Sequence, residues 1–125
     1  MQTDPFYTDV ISEISAFFGR RLTACHAAGI DKSKVILDPG FGFGKTSANN
    51  FEILSRLGEL REWNCPLLVG LSRKSMIQSV LSRSPKQTVF ASVALAMMAV
   101  ERGASIVRVH DVKATADALA MYNAL

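Results

Sequence analysis

The sequence predicts an α/β fold in which helices alternate with short, continuously apolar strands. Three apolar runs, at residues 35–37, 67–69 and 106–109, are separated by stretches whose apolar residues recur at helical spacing. Strands of this kind, separated by helices, are typical of a parallel sheet that is covered on both faces. The predicted order is therefore α-β-α-β-α-β-α, in one domain of 125 residues.

The first four helices are predicted from their apolar side chains and end residues, and the last from the helix propensity of its residues. The first begins with Thr3 or Asp4 as its cap, has Pro5 in its first turn, and stops at Gly29. Gly103 closes the most apolar helix, and the last helix is rich in alanine. The predicted helices span residues 4–28, 51–60, 76–81, 89–102 and 113–125.

Composition indicates a soluble globular protein. Basic residues are scattered, with no run longer than Arg20-Arg21, and the net charge is only +3, which disfavours a nucleic-acid surface. No apolar run approaches the ~18 residues of a membrane span, and the N-terminal residues lack the pattern of a signal peptide. Cys25 and Cys65 lack the spacing of a zinc site, so we expect reduced thiols and a cytoplasmic protein without membrane or nucleic-acid partners.

The segment DPGFGFGKT, at residues 38–46, resembles the end of a phosphate-binding P-loop but has the wrong spacing. A P-loop requires glycine five residues before Gly44, and Pro39 occupies that position. The glycines at 40, 42 and 44 alternate, which also excludes G-x-G-x-x-G. They permit positive φ angles and close approach of the backbone to a ligand.

Asp38 and the two phenylalanines of this segment each have two interpretations. The Asp38 carboxylate either caps the following turn or accepts hydrogen bonds from a ligand that carries adjacent N–H groups. Of Phe41 and Phe43, one is expected to anchor the loop in the core and the other to offer a flat apolar face. The sequence does not decide which of them has which role.

The segment SRKS follows the second apolar run and brings two cations and two hydroxyl groups to one strand-to-helix turn. Ser72, Arg73, Lys74 and Ser75 form either a solvated basic turn or a site for a carboxylate or phosphate. Ligand-binding residues of βα folds lie at the carboxyl ends of the strands. That position favours the anion site.

The segment RVHD ends the third apolar run. Arg108 and His110 are separated by one residue, so their side chains share a face of the strand. A buried, unpaired arginine is costly, so Arg108 requires an anion. Asp111 is one candidate, but its odd offset directs it to the opposite face, which favours a ligand anion.

The blocks VILDPGFGFGKT, PLLVGLSRKSMI and GASIVRVHDVKAT, in this order, resemble the C-terminal part of dihydropteroate synthase. The resemblance implies a (β/α)8 TIM barrel, of which this chain would form the C-terminal three-strand portion. It also implies the joining of p-aminobenzoate to 6-hydroxymethyl-7,8-dihydropterin pyrophosphate, with release of pyrophosphate, in folate biosynthesis.

Roles for individual residues follow from this resemblance. Asp38 would accept hydrogen bonds from the pterin, and Lys74 would reach the polar edge of the pterin ring. Phe43 would line the aminobenzoate side, Ser72 would contact the aminobenzoate carboxylate, and Gly70 would also belong to the substrate site.

The same resemblance places the pyrophosphate on Arg108 and His110, with Val109 between them in the substrate site. Lys74, Arg108 and His110 would be the catalytic residues, because fixed cations stabilise the charge that develops on the leaving group. Mg²⁺ is the cofactor that the family implies, with no ligand in this chain. The weakly basic arylamine needs no strong general base.

A complete barrel usually needs about 250 residues, so residues 1–125 are interpreted as a partial pterin-binding barrel domain. We expect the chain alone to be inactive and to pair with a second copy, as a homodimer, or with a missing half. A weak binding module and a purely structural half-barrel remain as alternatives. Another phosphate-binding barrel enzyme is disfavoured because RVHD follows SRKS.

Overall fold

The computed structural model describes residues 9–125, which form α-helices around a small parallel sheet. Short 3₁₀ helices lie at Lys32–Lys34, Leu57–Trp63 and Pro85–Gln87. The α-helices are α1 (Val10–Ala27), α2 (Ser47–Ser55), α3 (Ser75–Leu81), α4 (Val89–Glu101) and α5 (Val112–Ala124), and the strands are β1 (Leu68–Val69) and β2 (Ile106–Val107). No helix in this part of the chain is long and apolar enough to cross a membrane.

Helix α1 begins at Val10 because Asp9 caps it. Asp9 has an extended backbone with φ −148°, and its Oδ1 accepts the Ile11 N–H at 3.2 Å. The predicted cap at residues 3–4 and the proline at position 5 lie outside the described residues. The predicted stop is confirmed, since α1 ends at Ala27 and Gly29 has a left-handed φ of +84°.

The first predicted strand is reduced to one bridge, so the three-strand order is not confirmed. Leu37 pairs in parallel with Leu67, and the Leu68 N–H donates to the Leu37 carbonyl at 2.8 Å. The chain then leaves the ladder, because Pro39 has no N–H to donate and the Asp38 side chain binds the turn that follows. Between β1 and β2 the chain forms both helices predicted there, at residues 76–81 and 89–102, as α3 and α4, although the predicted order counts them as one.

The other two apolar runs form the predicted parallel pair. Leu68 is in register with Ile106 and Val69 with Val107, and the Arg108 N–H donates to the Val69 carbonyl at 2.9 Å. The carboxyl ends of β1 and β2 therefore lie at the same edge of the sheet. Both SRKS and RVHD follow directly from that edge.

The two faces of the sheet differ in burial. Odd-numbered side chains pack under α1 to α4 in the core, and they include Leu37, Leu67 and Val69. The even-numbered face is open: Ile36 is 52% exposed and Ile106 is 37% exposed. The prediction of a sheet covered on both faces is therefore wrong for residues 9–125. The loops that follow the strands begin at the carboxyl edge of this open face.

Candidate functional site

Three loops meet at the carboxyl edge of the sheet. They follow Leu37, β1 and β2, and they carry the predicted site residues Asp38, Lys74 and Arg108. Oδ2 of Asp38 lies 3.9 Å from Nη1 of Arg108, while Nζ of Lys74 lies 4.9 Å from the centre of the Phe43 ring. The structure thus brings together an acid, two cations and an aromatic face from separate parts of the sequence. We call this group the rim.

The glycine loop is built from left-handed turns with one aromatic anchor. Gly40, Gly42 and Gly44 have φ angles of +75°, +89° and +65°, which side chains with a Cβ rarely adopt. Phe41 is 2% exposed and lies in the core, whereas Phe43 is 53% exposed. The expectation that one phenylalanine anchors the loop and the other offers a flat face is confirmed.

Two further side chains hold this loop in place. Asn50, buried at 2% exposure, accepts the Gly42 N–H through Oδ1 at 3.0 Å. Nζ of Lys45 donates to the carbonyls of Gly40 at 2.9 Å and Phe43 at 3.1 Å. Burial lowers the pKa of Lys45, and the nearby carboxylate of the loop's aspartate opposes that shift. The loop is therefore fixed from inside by an amide and an ammonium group.

One carboxylate oxygen of Asp38 caps the following turn, as one of the two interpretations predicted, and the other oxygen lies at the rim. Its Oδ1 accepts the Gly40 N–H at 2.8 Å, in an Asx-type turn. Its Oδ2 faces Arg108 at 3.9 Å, which is longer than a hydrogen bond. Both partners are partly exposed, so Oδ2 can still accept hydrogen bonds from a ligand.

Lys74 reaches across from the SRKS turn to the glycine loop. Its backbone occupies the N-cap position of α3, and its ammonium group extends towards Phe43. A Cβ added to Gly42 would lie 3.8 Å from Nζ of Lys74. The ammonium group therefore packs against backbone that has no side chain in its way.

Arg73 does not join Lys74 at the rim. It has a left-handed φ of +56°, its N–H donates to Oγ of Ser92 at 3.0 Å, and its guanidinium pairs with Asp111. Ser75 is exposed at the start of α3, and Ser72 is buried. The predicted convergence of two cations and two hydroxyl groups is wrong, since only the Lys74 ammonium group faces the glycine loop.

Arg108 and His110 lie on the open face of β2 and its extension, as their spacing predicts. The Arg108 guanidinium crosses over Gly70, where an added Cβ would lie 2.7 Å from Nη2. Any side chain at position 70 would therefore collide with the Arg108 guanidinium. Val109 lies half-buried on the other side of the strand. Asp111 pairs with another arginine, which confirms that it is not the anion facing Arg108.

His110 is held by Ser72, whose role the resemblance assigned to the aminobenzoate carboxylate. Oγ of Ser72 accepts the His110 backbone N–H at 3.2 Å and lies 2.9 Å from Nδ1 of the imidazole. A contact between Ser72 and the aminobenzoate stays a prediction. In this structure the hydroxyl group faces His110.

The roles of Asn50 and Ser92, and the pairing of Asp111 with Arg73, are not predicted from the sequence. Asn50 had a readable signal, because it lies on the same helical face as Ile53 and Leu54, where a buried polar side chain needs a hydrogen-bond partner. Ser92 had no such signal. Its role depends on the left-handed turn at Arg73, for which the sequence contains no glycine.

Comparisons with known proteins agree with the resemblance seen in the motifs. The profile of the family described as pterin binding enzyme matches residues 1–110. The chain is 47% identical over 124 residues to the dihydropteroate synthase of Escherichia coli K12. This alignment covers 99% of the present chain and 44% of the Escherichia coli protein. It is 49% identical over 127 residues to that of Neisseria meningitidis serogroup C, covering all of this chain and 45% of the relative.

Solved structures give the same result. The chain matches dihydropteroate synthase from Stenotrophomonas maltophilia with a TM-score of 0.97 and 48% identity, over 99% of this chain and 47% of that one. It matches the Xanthomonas albilineans enzyme in complex with 7,8-dihydropteroate with a TM-score of 0.94 and 47% identity. That match covers 96% of the present chain and 46% of the Xanthomonas albilineans chain. The structure of the same enzyme with 4-aminobenzoic acid also matches, with a TM-score of 0.94 and 47% identity, and the match covers 96% of the present chain and 44% of the other. The chain thus spans about half the length of these relatives, and it belongs to the pterin-binding enzyme family, within which it is similar to the dihydropteroate synthases.

Proposed function

We propose that this chain is the C-terminal half of a dihydropteroate synthase. The complete enzyme would condense p-aminobenzoate with 6-hydroxymethyl-7,8-dihydropterin pyrophosphate to give 7,8-dihydropteroate and pyrophosphate. The observation that carries the proposal is the rim, in which Asp38 lies 3.9 Å from Arg108 and Lys74 lies over Phe43. The names of the relatives and the ligands of the Xanthomonas albilineans structures support the choice of substrates.

The rim residues divide into those that hold the pterin and those that hold its leaving group. Oδ2 of Asp38 accepts N–H groups of the pterin, and Lys74 donates to the polar edge of the ring. Phe43 offers its exposed ring face to the aminobenzoate. Gly70 is needed because any side chain there would displace Arg108 from this position.

Arg108 and His110 bind the pyrophosphate and act in the bond-breaking step. The bond between the pterin methylene carbon and the pyrophosphate oxygen breaks, and its electron pair leaves with the pyrophosphate. A guanidinium group and an imidazole N–H that are already in position stabilise this charge. The arylamine nitrogen then forms the new bond to the methylene carbon and loses a proton, for which a weak base suffices.

Mg²⁺ remains a proposal for the complete enzyme. Among residues 9–125, no three His, Cys, Asp or Glu side chains lie close enough together to hold a metal ion. At the rim, Asp38 already faces an arginine. The described residues therefore do not fit a metal site, and each step above depends only on side chains of this chain.

The open face of the sheet supports the interpretation as a partial barrel domain. The even-numbered face carries Arg108 of the rim and the exposed isoleucines Ile36 and Ile106. In a closed barrel such a face lines the interior and is filled by side chains from the other strands. We therefore propose that residues 1–125 require a complementary half for activity.

A chimeric enzyme tests the proposal directly. Residues 1–125 replace the matching C-terminal segment of the Escherichia coli dihydropteroate synthase, and dihydropteroate formation is measured. We expect activity in the chimera, and a loss on the order of 10²-fold or more in kcat with Lys74→Ala or Arg108→Ala. Lys113→Ala, which removes an exposed lysine paired with Asp117, is the matched control. A folded chimera without product, or near-normal turnover in both rim variants, contradicts the proposal.

The second candidate is a half-barrel that binds a pterin or anion weakly, or only associates with a second copy. Exposed apolar side chains on α4 and α5, including Phe90 at 88% exposure, favour association. Isothermal titration of the isolated chain with a dihydropterin tests binding, and analytical ultracentrifugation tests the predicted homodimer. Dihydropteroate formation by the isolated chain would contradict its expected inactivity.

A further inference from the structure

Ser72 is positioned to act on His110 through two contacts made by one oxygen atom. Its Oγ lies 3.2 Å from the backbone nitrogen of His110 and 2.9 Å from Nδ1 of the ring. Ser72 is only 6% exposed, so water has little access to its hydroxyl group. The loop after β1 thereby fixes both the backbone and the imidazole of the residue that follows β2.

The direction of these hydrogen bonds follows from the chemistry of the groups. A backbone N–H can only donate, so Oγ of Ser72 accepts from His110 at that contact. The hydroxyl proton then needs an acceptor, and Nδ1 is the acceptor that the described residues place beside it. If Nδ1 carried the proton instead, Oγ would accept twice and a buried hydroxyl proton would have no partner, which is unfavourable.

We propose that Ser72 is a positioning residue that holds neutral His110 as the tautomer with its proton on Nε2. The proton of Ser72 lies on the hydrogen bond to Nδ1, so the opposite ring nitrogen is a donor. His110 shares the open face of β2 with Arg108. A histidine held in this way presents an N–H, beside a guanidinium group, to an oxyanion such as the pyrophosphate. This last step depends on the proposed function, whereas the tautomer does not.

Nitrogen NMR of the isolated chain tests the tautomer without substrate or activity. Spectra of ¹⁵N-labelled imidazoles are recorded about two pH units above the ordinary histidine pKa of about 6.5. His110→Gln removes one of the two histidine signals and so assigns the other to His26, which serves as an internal control. We expect an unprotonated, hydrogen-bonded Nδ1 and a protonated Nε2 for His110.

Substitutions at Ser72 separate positioning from a merely structural role. Ser72→Ala is expected to give a mixture of tautomers for His110 with the signals of His26 unchanged, and Ser72→Thr, which keeps the hydroxyl group, is expected to restore the single tautomer. A proton on Nδ1 in the unmodified chain overturns the inference. So does a His110 spectrum that Ser72→Ala leaves unchanged.

Titration with inorganic pyrophosphate of the chimeric enzyme, carrying the same substitutions, tests the functional part. We expect Ser72→Ala to weaken binding severalfold, with recovery in Ser72→Thr. If His110→Gln weakens binding while Ser72→Ala does not, the positioning role in anion binding is overturned. If pyrophosphate binds to none of these chimeras although the tautomer is fixed as described, the anion step and the proposed function are contradicted, and the tautomer assignment stands.

Discussion

Nη2 of Arg73 lies 3.0 Å from Oδ1 of Asp111, so an ion pair joins the loop after β1 to the loop after β2. The other atoms of the two groups, Nε of Arg73 and Oδ2 of Asp111, are buried and have no hydrogen-bond partner among the described residues. Each group therefore depends on the other. The pair keeps the guanidinium away from the rim while it holds the two strand ends together.

A double-mutant cycle should show this dependence. We expect Arg73→Ala and Asp111→Ala each to lower the free energy of unfolding by about 1–3 kcal/mol, because each leaves a poorly solvated charge without its partner. The double variant should lose less than the sum, with a coupling on the order of 1 kcal/mol. Urea unfolding supplies the measurement.

The control for this cycle is the exposed pair of Lys113 and Asp117 on α5, at 3.2 Å. Its coupling should be about 0.3–0.5 kcal/mol. Equal coupling energies in the two pairs would show that the burial of Arg73 and Asp111 does not strengthen their interaction.

Gly70→Ala should impair anion binding while the fold survives. A Cβ at this position lies 2.7 Å from Nη2 of Arg108, at the far end of a flexible side chain that can move aside. The guanidinium would then leave its place near Asp38. We expect pyrophosphate binding to fall at least tenfold in isothermal titration, with a nearly unchanged circular dichroism spectrum. Gly58→Ala is the control, because its Cβ would make only an ordinary contact at 3.7 Å.

Asn50→Leu should loosen the glycine loop. The substitution leaves the Gly42 N–H without its acceptor at 3.0 Å, so we expect a loss of about 1–3 kcal/mol in unfolding free energy and faster hydrogen exchange at Gly42. The exposed Asn123→Ala, on α5, should change stability by less than about 0.5 kcal/mol. Unchanged exchange at Gly42 would mean that Phe41 alone fixes the loop.

Asp9 should make stability depend on acid pH. Its hydrogen bond to Arg56 lowers the pKa of this carboxyl from 3.8 to about 2. A carboxyl with a lowered pKa in the folded state stabilises the fold fully above its unfolded pKa, and this contribution disappears as the pH falls from about 4 to about 2.

Asp9→Asn is the matched variant, because asparagine also caps helices well. Urea unfolding between about pH 2 and pH 6 should show unmodified and variant chains that differ above pH 4 and converge near pH 2. A difference that does not change with pH would assign the effect of Asp9 to capping alone.

The sequence predicted those features that depend on periodicity. Side-chain alternation correctly placed Arg108 and His110 on one face and Asp111 away from Arg108. Apolar runs predicted the parallel pairing of β1 and β2, and the helix propensity of an alanine-rich segment predicted the last helix within a residue at each end. These features follow from local geometry that repeats along the chain.

Features that depend on a single turn were not predictable in this way. The left-handed backbone at Arg73 directs its side chain to Asp111, and no glycine or asparagine marks that position. The early exit of the chain after Leu37 results from the Asp38 side chain competing for the backbone of the turn. In both places a side-chain hydrogen bond within or next to the turn decides the path of the backbone, and periodicity along the chain carries no signal for it.

Alternation along β2 and its extension has a consequence for how this region can change during evolution. From Ile106 to His110, residues that pack against helices and residues of the open face follow each other one by one. Insertion or deletion of a single amino acid here would turn the guanidinium and the imidazole into the hydrophobic interior and expose two valines in their place. Natural variation at this strand end must therefore occur by replacement of side chains at constant length.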